Sequence, residues 1–299
     1  MTVSSNDPPA SRRYLQLDVF ADRPGAGNPL GVVFDAAGMD GAAMQAYARW
    51  ANLCETVFFL PPTLPGADYR VRIFTPRQEL PFAGHPSVGA AWAALEAGMV
   101  RARADTLVQE CAAGLLPVRL ETRQDIRIVH IRTPRARQVV AGHTAPAALL
   151  AATAGLPHGT LKPAVWNNGP SWWVVPLADE ASVRRMAPDL AAIAALTSST
   201  DAVGLAVFAR ADHGAAYDVV VRAYCPADGI PEDPVTGSAN AAIGAMLHHA
   251  GLLPGIDGRY IASQGRELGR DGRVEVRLDA DEVWIGGQVQ AVIRGTVDW

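Results

Sequence analysis

Two stretches of this sequence place a glycine and a polar residue at the start of a small-residue helix. Residues 72–86 read RIFTPRQELPFAGHP and residues 222–239 read RAYCPADGIPEDPVTGSA. Arg72 and Arg222, Pro76 and Pro226, and Pro81 and Pro231 share one offset of about 150 residues, Phe74 meets Tyr224, and Leu80 meets Ile230. A three-residue insertion between Pro231 and Gly237 then brings Gly84-His85 opposite Gly237-Ser238. A helix N-terminus offers unpaired N–H groups and partial positive charge. Glycine lets a ligand approach the backbone closely. Two such termini facing each other across a pseudo-two-fold axis make an anion-binding cleft, whose natural guest is a small carboxylate. One copy alone reads as a tight strand-to-helix turn. The matched pair favours the cleft.

Other residues carry chemistry with an ordinary structural reading beside it. Glu55, flanked by Leu53, Val57 and Phe58, reads as a partly desolvated carboxylate. Desolvation lifts a carboxyl pKa toward working pH and suits general acid–base catalysis. From the residues alone, the ordinary reading, a solvent-facing glutamate between a helix and a strand, is the favoured one. His85 either hydrogen-bonds a ligand, tunes Glu55, or packs as a satisfied histidine before Pro86. Asp233 before Pro234 reads as a turn residue, and Ser238 as a helix N-cap. Asn28 in GNP and Gly169 in NNGP read as turn formers. Cys54 adjoins Glu55, but on an extended chain its side chain points the other way.

The elements that must position these residues follow from periodicity. The 299 residues carry 26 basic and 30 acidic side chains, a net charge of −4. That balance argues against a nucleic-acid binder working through a basic field. Cys54, Cys111 and Cys225 are too few for a disulfide scaffold or a thiolate zinc site, and fit a reducing compartment. The N-terminal segment MTVSSNDPPASRR lacks the apolar core of a signal peptide. The uncharged stretch between Arg137 and Lys162 carries His143, Pro146 and Pro157 and does not read as a membrane span. The expectation is a soluble cytoplasmic protein without a metal site or membrane or nucleic-acid partner. No HExxH, P-loop, GxGxxG or GxSxG pattern occurs in a suitable context.

Strands are expected at residues 14–20, 30–34, 56–60, 69–74, 115–121 and 126–131, with helices over 39–52 and 87–97. The second half repeats this order. Strands are expected at 171–176, 204–208 and 217–224, helices over 183–196 and 239–250, and short strands and turns over 260–297. Chains of this length usually divide. The expected halves are residues 14–135 and 136–299, with the last strand free to cross back to the first. Trp166, Trp172 and Trp173 read as strand packing, with a place for one of them in the cleft lining as the alternative.

These residues resemble the PhzF family, the phenazine-biosynthesis isomerase group, whose fold is like diaminopimelate epimerase. The resemblance rests on LDVFADRPGAGNPLGVVF (17–34), ANLCETVFFL (51–60), RIFTPRQELPFAGHP (72–86), NNGP (167–170), GIPEDPVTGSA (229–239) and QGRELGR (264–270). It implies an α+β fold of two similar pseudo-symmetric domains, each a curled, mostly antiparallel sheet around a central helix. It also implies a site between them, a homodimer and no cofactor. The reaction it implies is isomerisation of a small carboxylate like trans-2,3-dihydro-3-hydroxyanthranilate. Catalytic roles then fall to Glu55, His85 and Asp233, and substrate binding to Gly84, Gly237, Ser238 and Asn28. The sequence departs from diaminopimelate-type epimerases, which use two cysteines before the helix-start glycines. Ala83 and Thr236 stand in those places, which disfavours two-thiol racemisation. An epimerase using Glu55 with a second acid, and a non-catalytic binding or scaffold protein, are the rival readings.

Overall fold

The computed structural model describes residues 10–139, 146–280 and 282–299. The polar start at residues 1–9, and residues 140–145 with His143, lie outside the described residues.

Alternating and apolar runs in the first half form β1 (Ser11–Val19), β2 (Asn28–Val33), β3 (Glu55–Leu60), β4 (Tyr69–Phe74) and β5 (Glu79–Leu80). They continue as β6 (Thr106–Cys111), β7 (Gly114–Arg123) and β8 (Ile126–Arg132). Helix α1 (Gly41–Ala51) lies between β2 and β3, and α2 (Gly84–Glu96) between β5 and β6. The second half comprises β9 (Arg137–Val139), β10 (Ala164–Asn167), β11 (Ser171–Pro176), β12 (Gly204–Arg210), β13 (Val219–Cys225), β14 (Ile230–Asp233), β15 (Arg259–Gln264), β16 (Gly272–Asp279), β17 (Glu282–Gly287) and β18 (Val289–Asp298). Its helices are α3 (Pro146–Ala152), α4 (Glu180–Arg185), α5 (Leu190–Ser199) and α6 (Gly237–His249).

The two halves pair in the same order. β1 runs antiparallel to β2, β2 parallel to β3, and β3 antiparallel to β4; β4 pairs antiparallel with β5 and parallel with β6. The same sequence of pairings joins β10 to β11, β12, β13, β14 and β15. Each parallel step needs a crossover, and the helices occupy those crossovers. β17 pairs with β8 and joins the halves, and β18 returns to lie antiparallel to β1.

α2 and α6 run through the interior because most of their residues are small. In α2 the residues from Gly84 to Ala91 are all buried. Such a helix has no solvent face to keep polar, and strands surround it. Among the described residues no helix is long and apolar enough to cross a membrane.

The structure departs from expectation in four places. The helix expected over 183–196 is two helices, α4 and α5, because Pro188 lacks an N–H and clashes with the preceding turn. Asp189 restarts the chain as an N-cap, its carboxylate accepting from the Ala192 amide. β5, β6, β9, β10 and β14 and helix α3 lie outside the expected elements. α2 and α6 begin at Gly84 and Gly237, not at 87 and 239, so His85 and Ser238 lie in their first turns.

The fourth departure concerns the repeat itself. Ile73 pairs with Leu80 and Ala223 with Asp233, so Leu80 and Asp233 occupy equivalent places. The three-residue insertion therefore precedes Glu232, and the match of Pro81 to Pro231 is a coincidence of spacing. In the corrected register ELPFAGH lies over EDPVTGS. The Arg72–Glu79 and Arg222–Glu232 ion pairs, each formed through two guanidinium N–H groups, then become equivalent braces.

Candidate active site

The starts of α2 and α6 meet back to back. A Cβ added to Gly84 would lie 3.3 Å from the Gly237 Cα and 2.7 Å from Ile285 Cδ1. A Cβ on Gly237 would lie 3.3 Å from the Gly84 Cα and 2.6 Å from the same Ile285 atom. Only glycine at both places permits this approach. The N-caps are Ala83 and Thr236, and neither side chain caps its helix. The first-turn N–H groups of Gly84, His85, Gly237 and Ser238 thus carry no side-chain cap. The two partial positive charges are brought to one place.

Glu55 is the first residue of β3, paired opposite Leu30 of β2. Its side chain is 15% exposed, and Oε2 lies 3.2 Å from Nε2 of His85, whose side chain is 5% exposed. The angle is too poor for a hydrogen bond, and both atoms are buried without a hydrogen-bond partner among the described residues. Burial, and then the Asp233 carboxylate, push the Glu55 pKa up to about 8. Burial lowers that of His85 to about 3, so the imidazole is neutral. Burial also raises Asp233, against the lowering effect of hydrogen bonds from Thr236 and Asn28. Cys54 stays a thiol: burial and the nearby Asp233 and Glu55 charges raise it.

Asp233 ends β14. Asn28 Nδ2 donates to Asp233 Oδ1 at 2.9 Å and to the Val235 carbonyl at 2.8 Å. Asn28 is fully buried, and its Oδ1 has no hydrogen-bond partner among the described residues. Ser238 is the second residue of α6 and so is not its N-cap. Its Oγ accepts from Trp172 Nε1 at 3.0 Å, and its carbonyl accepts from Asn168 Nδ2 at 2.9 Å. A hydroxyl that accepts from an indole keeps its own proton for another partner. Gly169, at φ 113, serves the turn that Asn167 closes.

The structure thus brings Glu55, His85, Gly84 and Asn28 from one half together with Asp233, Gly237 and Ser238 from the other. The site is asymmetric. The place equivalent to Glu55 is Gly204, paired opposite Trp172, where a Cβ would lie 2.5 Å from the Trp172 ring and 2.8 Å from Cys225 Sγ. The place equivalent to Asp233 holds Leu80. Each half supplies one carboxylate, and neither holds the pair.

One residue escaped the reading of the sequence: Gln264 lies inside QGRELGR, but nothing local marks it out. Trp172, one of three tryptophans read as strand packing with the cleft lining as the alternative, reaches the site through its N–H. A separate trough of about 400 Å³ on the outer face of β7 and β16 shares no residue with this group. Its charges largely pair among themselves, as in Arg123 with Glu275 and His130 with Glu275.

This arrangement can hold a small anion at the helix starts and exchange a proton at one or two buried carboxyls. Comparisons with known proteins agree with that chemistry. The family model described as "Phenazine biosynthesis-like protein" matches residues 17–295. A trans-2,3-dihydro-3-hydroxyanthranilate isomerase of Pseudomonas aeruginosa is 38% identical over 281 residues, covering 94% of each chain. A PhzF-family phenazine biosynthesis protein of Bacillus anthracis superposes with a TM-score of 0.83 at 25% identity, over 96% of this chain and 99% of that one. A hydroxyproline epimerase from Agrobacterium vitis, 15% identical, superposes with a TM-score of 0.68 over 96% and 92% of the two chains, and shares the fold. From the matched helix starts, the α+β fold and these likenesses along nearly the whole chain, it follows that this protein belongs to the PhzF family of phenazine biosynthesis-like proteins.

Proposed function

We propose that the protein is a cofactor-independent isomerase that moves a proton and a double bond within a small carboxylate, of the dihydrohydroxyanthranilate type. The observation that carries this reading is the buried Glu55–His85 pair, 3.2 Å apart, beside Asp233 and the joined helix starts. The activity named for the Pseudomonas aeruginosa relative supports the substrate class.

In this reading the substrate carboxylate sits against the N–H groups of Gly84, Gly237 and Ser238. Ionised Glu55 removes a proton from carbon, and the negative charge spreads into the conjugated system. The protonated Glu55 then delivers that proton to a different carbon, with His85 and Asp233 as hydrogen-bonding partners to substrate or relay. Preorganised N–H donors stabilise the anion because they need no reorganisation. Ala83 and Thr236 at the N-caps supply no thiol, so inversion by two cysteines has no agents here. The reading carries with it two domains meeting at the site and a homodimer in the cytoplasm.

The test is proton NMR in deuterated buffer. Dihydrohydroxyanthranilate and a panel of small unsaturated and α-amino carboxylates are offered to wild type and Glu55→Gln. Deuterium entering at carbon with a moved double bond, and lost in the variant, supports the isomerase. Inversion at one carbon would replace it with an epimerase. Exchange that survives Glu55→Gln would remove Glu55 from the mechanism. No exchange on any compound from folded protein would favour a binding protein.

A further inference from the structure

Gln264, the last residue of β15, is fully buried and makes four hydrogen bonds. Its orientation is determined by groups that have only one possible role. The Thr236 backbone N–H can only donate, and it donates to Gln264 Oε1 at 3.0 Å. Asn240 Nδ2 donates to the same oxygen at 2.9 Å, and that end of Asn240 is its NH₂ because it also donates to the Thr236 carbonyl at 2.9 Å. Gln264 Nε2 in turn donates to the Asp233 carbonyl at 3.0 Å and to Thr236 Oγ1 at 2.9 Å. The Thr236 hydroxyl, having accepted there, directs its own proton to Asp233 Oδ2 at 2.6 Å. Asn28 Nδ2, oriented by the Val235 carbonyl, donates to the other oxygen. Both carboxylate oxygens therefore accept.

The molecule contains its own control. The first half builds the same strand, turn and buried helix, with Leu80 where the second half has Asp233. Ala83 stands in place of Thr236. Cys111, the last residue of β6, takes the place of Gln264, as the matching registers of β4 with β6 and of β13 with β15 show. The scaffold therefore folds without any of the three polar residues. They occur together only in the half that holds the carboxylate.

We propose that Gln264 is a positioning residue: through Thr236 it holds Asp233 Oδ2 as an acceptor, which with the Asn28 donor at Oδ1 keeps the carboxylate in one orientation beside Glu55. The functional meaning of this rests on the proposed proton transfer at Glu55. The titratable and charged groups around Asp233 are Glu55 with its neighbour His85, Cys54, Cys225, the adjacent Glu232 and, on the Cys54 side, Arg270. None of these donates a hydrogen bond to Asp233. The ionised state therefore depends on Thr236 and Asn28, since a charge-assisted donor favours the charged form.

The test reads Asp233 directly, by carboxyl-carbon NMR of protein labelled with ¹³C-aspartate, the resonance being assigned by its loss in Asp233→Asn. Thr236→Val keeps the shape and removes the hydroxyl; Gln264→Leu removes the group that orients it. Each should raise the apparent pKa of Asp233 by about one unit, a tenfold gain in proton affinity. Thr236→Ser should restore the wild-type value. If Gln264→Leu does not fold, Gln264→Met makes the same measurement. An Asp233 titration unchanged in folded Thr236→Val overturns the proposal. So does a shift in Thr236→Val that the Gln264 variants do not reproduce. The readout needs no substrate, so failure of the proposed isomerase activity and failure of this assignment are separate results.

Discussion

Glu55 Oε2 and His85 Nε2 face each other at 3.2 Å, both buried and neither with a well-aligned hydrogen bond. Glu55 is raised to about 8 and His85 lowered to about 3. Between those values the folded protein holds the pair as a neutral acid beside a neutral imidazole. No compensating ion pair forms, because burial penalises both charged forms. A pair left this way is poised to react to any ligand that brings charge or hydrogen bonds.

Stability should record that arrangement. Glu55, raised in the folded state, contributes stability that is fully present below its unfolded value near 4.5 and is lost as pH rises through about 8. His85, depressed, contributes stability that is present above its unfolded value near 6.5 and is lost as pH falls through about 3. Between 4.5 and 6.5 the two slopes oppose each other. Asp233, also raised, acts in the same direction as Glu55. Denaturant unfolding should give a stability that falls from about pH 6.5 to 8. Glu55→Gln should flatten that fall, and a slope unchanged in the variant would mean that Glu55 is already ionised.

Activity should move with pH in the opposite sense. For Glu55 to take a proton from carbon it must be ionised, so kcat/KM for exchange should rise with pH through about 8 and level off above it. Glu55→Gln should lower exchange by about 10²- to 10⁴-fold, the usual contribution of a positioned general base. Stopped-flow or NMR exchange rates across pH 5–9 check both points.

The two equivalent braces should differ in energy. Arg222 and Glu232 are 6% and 9% exposed, and Arg222 Nη1 also donates to the carbonyls of Val183 and Met186 at the end of α4. Arg72 and Glu79 are 27% and 35% exposed. Removing Arg222 leaves a buried carboxylate and unpaired carbonyls, so Arg222→Leu should cost about 3–5 kcal/mol. Arg72→Leu should cost about 1 kcal/mol or less. Urea midpoints of the two variants measure the difference.

The contact of the helix starts predicts a specific rescue. Gly84→Ala places a methyl group 2.7 Å from Ile285 Cδ1 and 3.3 Å from the Gly237 Cα, an overpacking that costs about 1–3 kcal/mol. Ile285→Val removes the Cδ1 atom and should recover part of that loss in the double variant. A loss in the double variant equal to the sum of the two single ones would show that the backbone contact alone sets the cost.

Much of the architecture was legible because it rests on local physics. The strands at 69–74 and 171–176 have both ends where alternation and flanking breakers place them. Prolines and glycines marked the repeat, and small residues marked the two interior helices. Pro188 was misjudged because helical periodicity continues across it. The repeat was misaligned by three residues because equal proline spacing outweighed the Glu79–Glu232 match, which only strand pairing and the two ion pairs reveal.

The sequence by itself determined the family, the α+β class and the two glycine-led helix starts, since these depend on residue types within a few turns of chain. Tertiary structure alone decided that Glu55 meets His85 and that Gln264 orients Thr236 toward Asp233. Those relationships depend on strand register and on packing between segments far apart in the chain, and burial of the assembled whole sets their pKa values. No window of sequence contains that information.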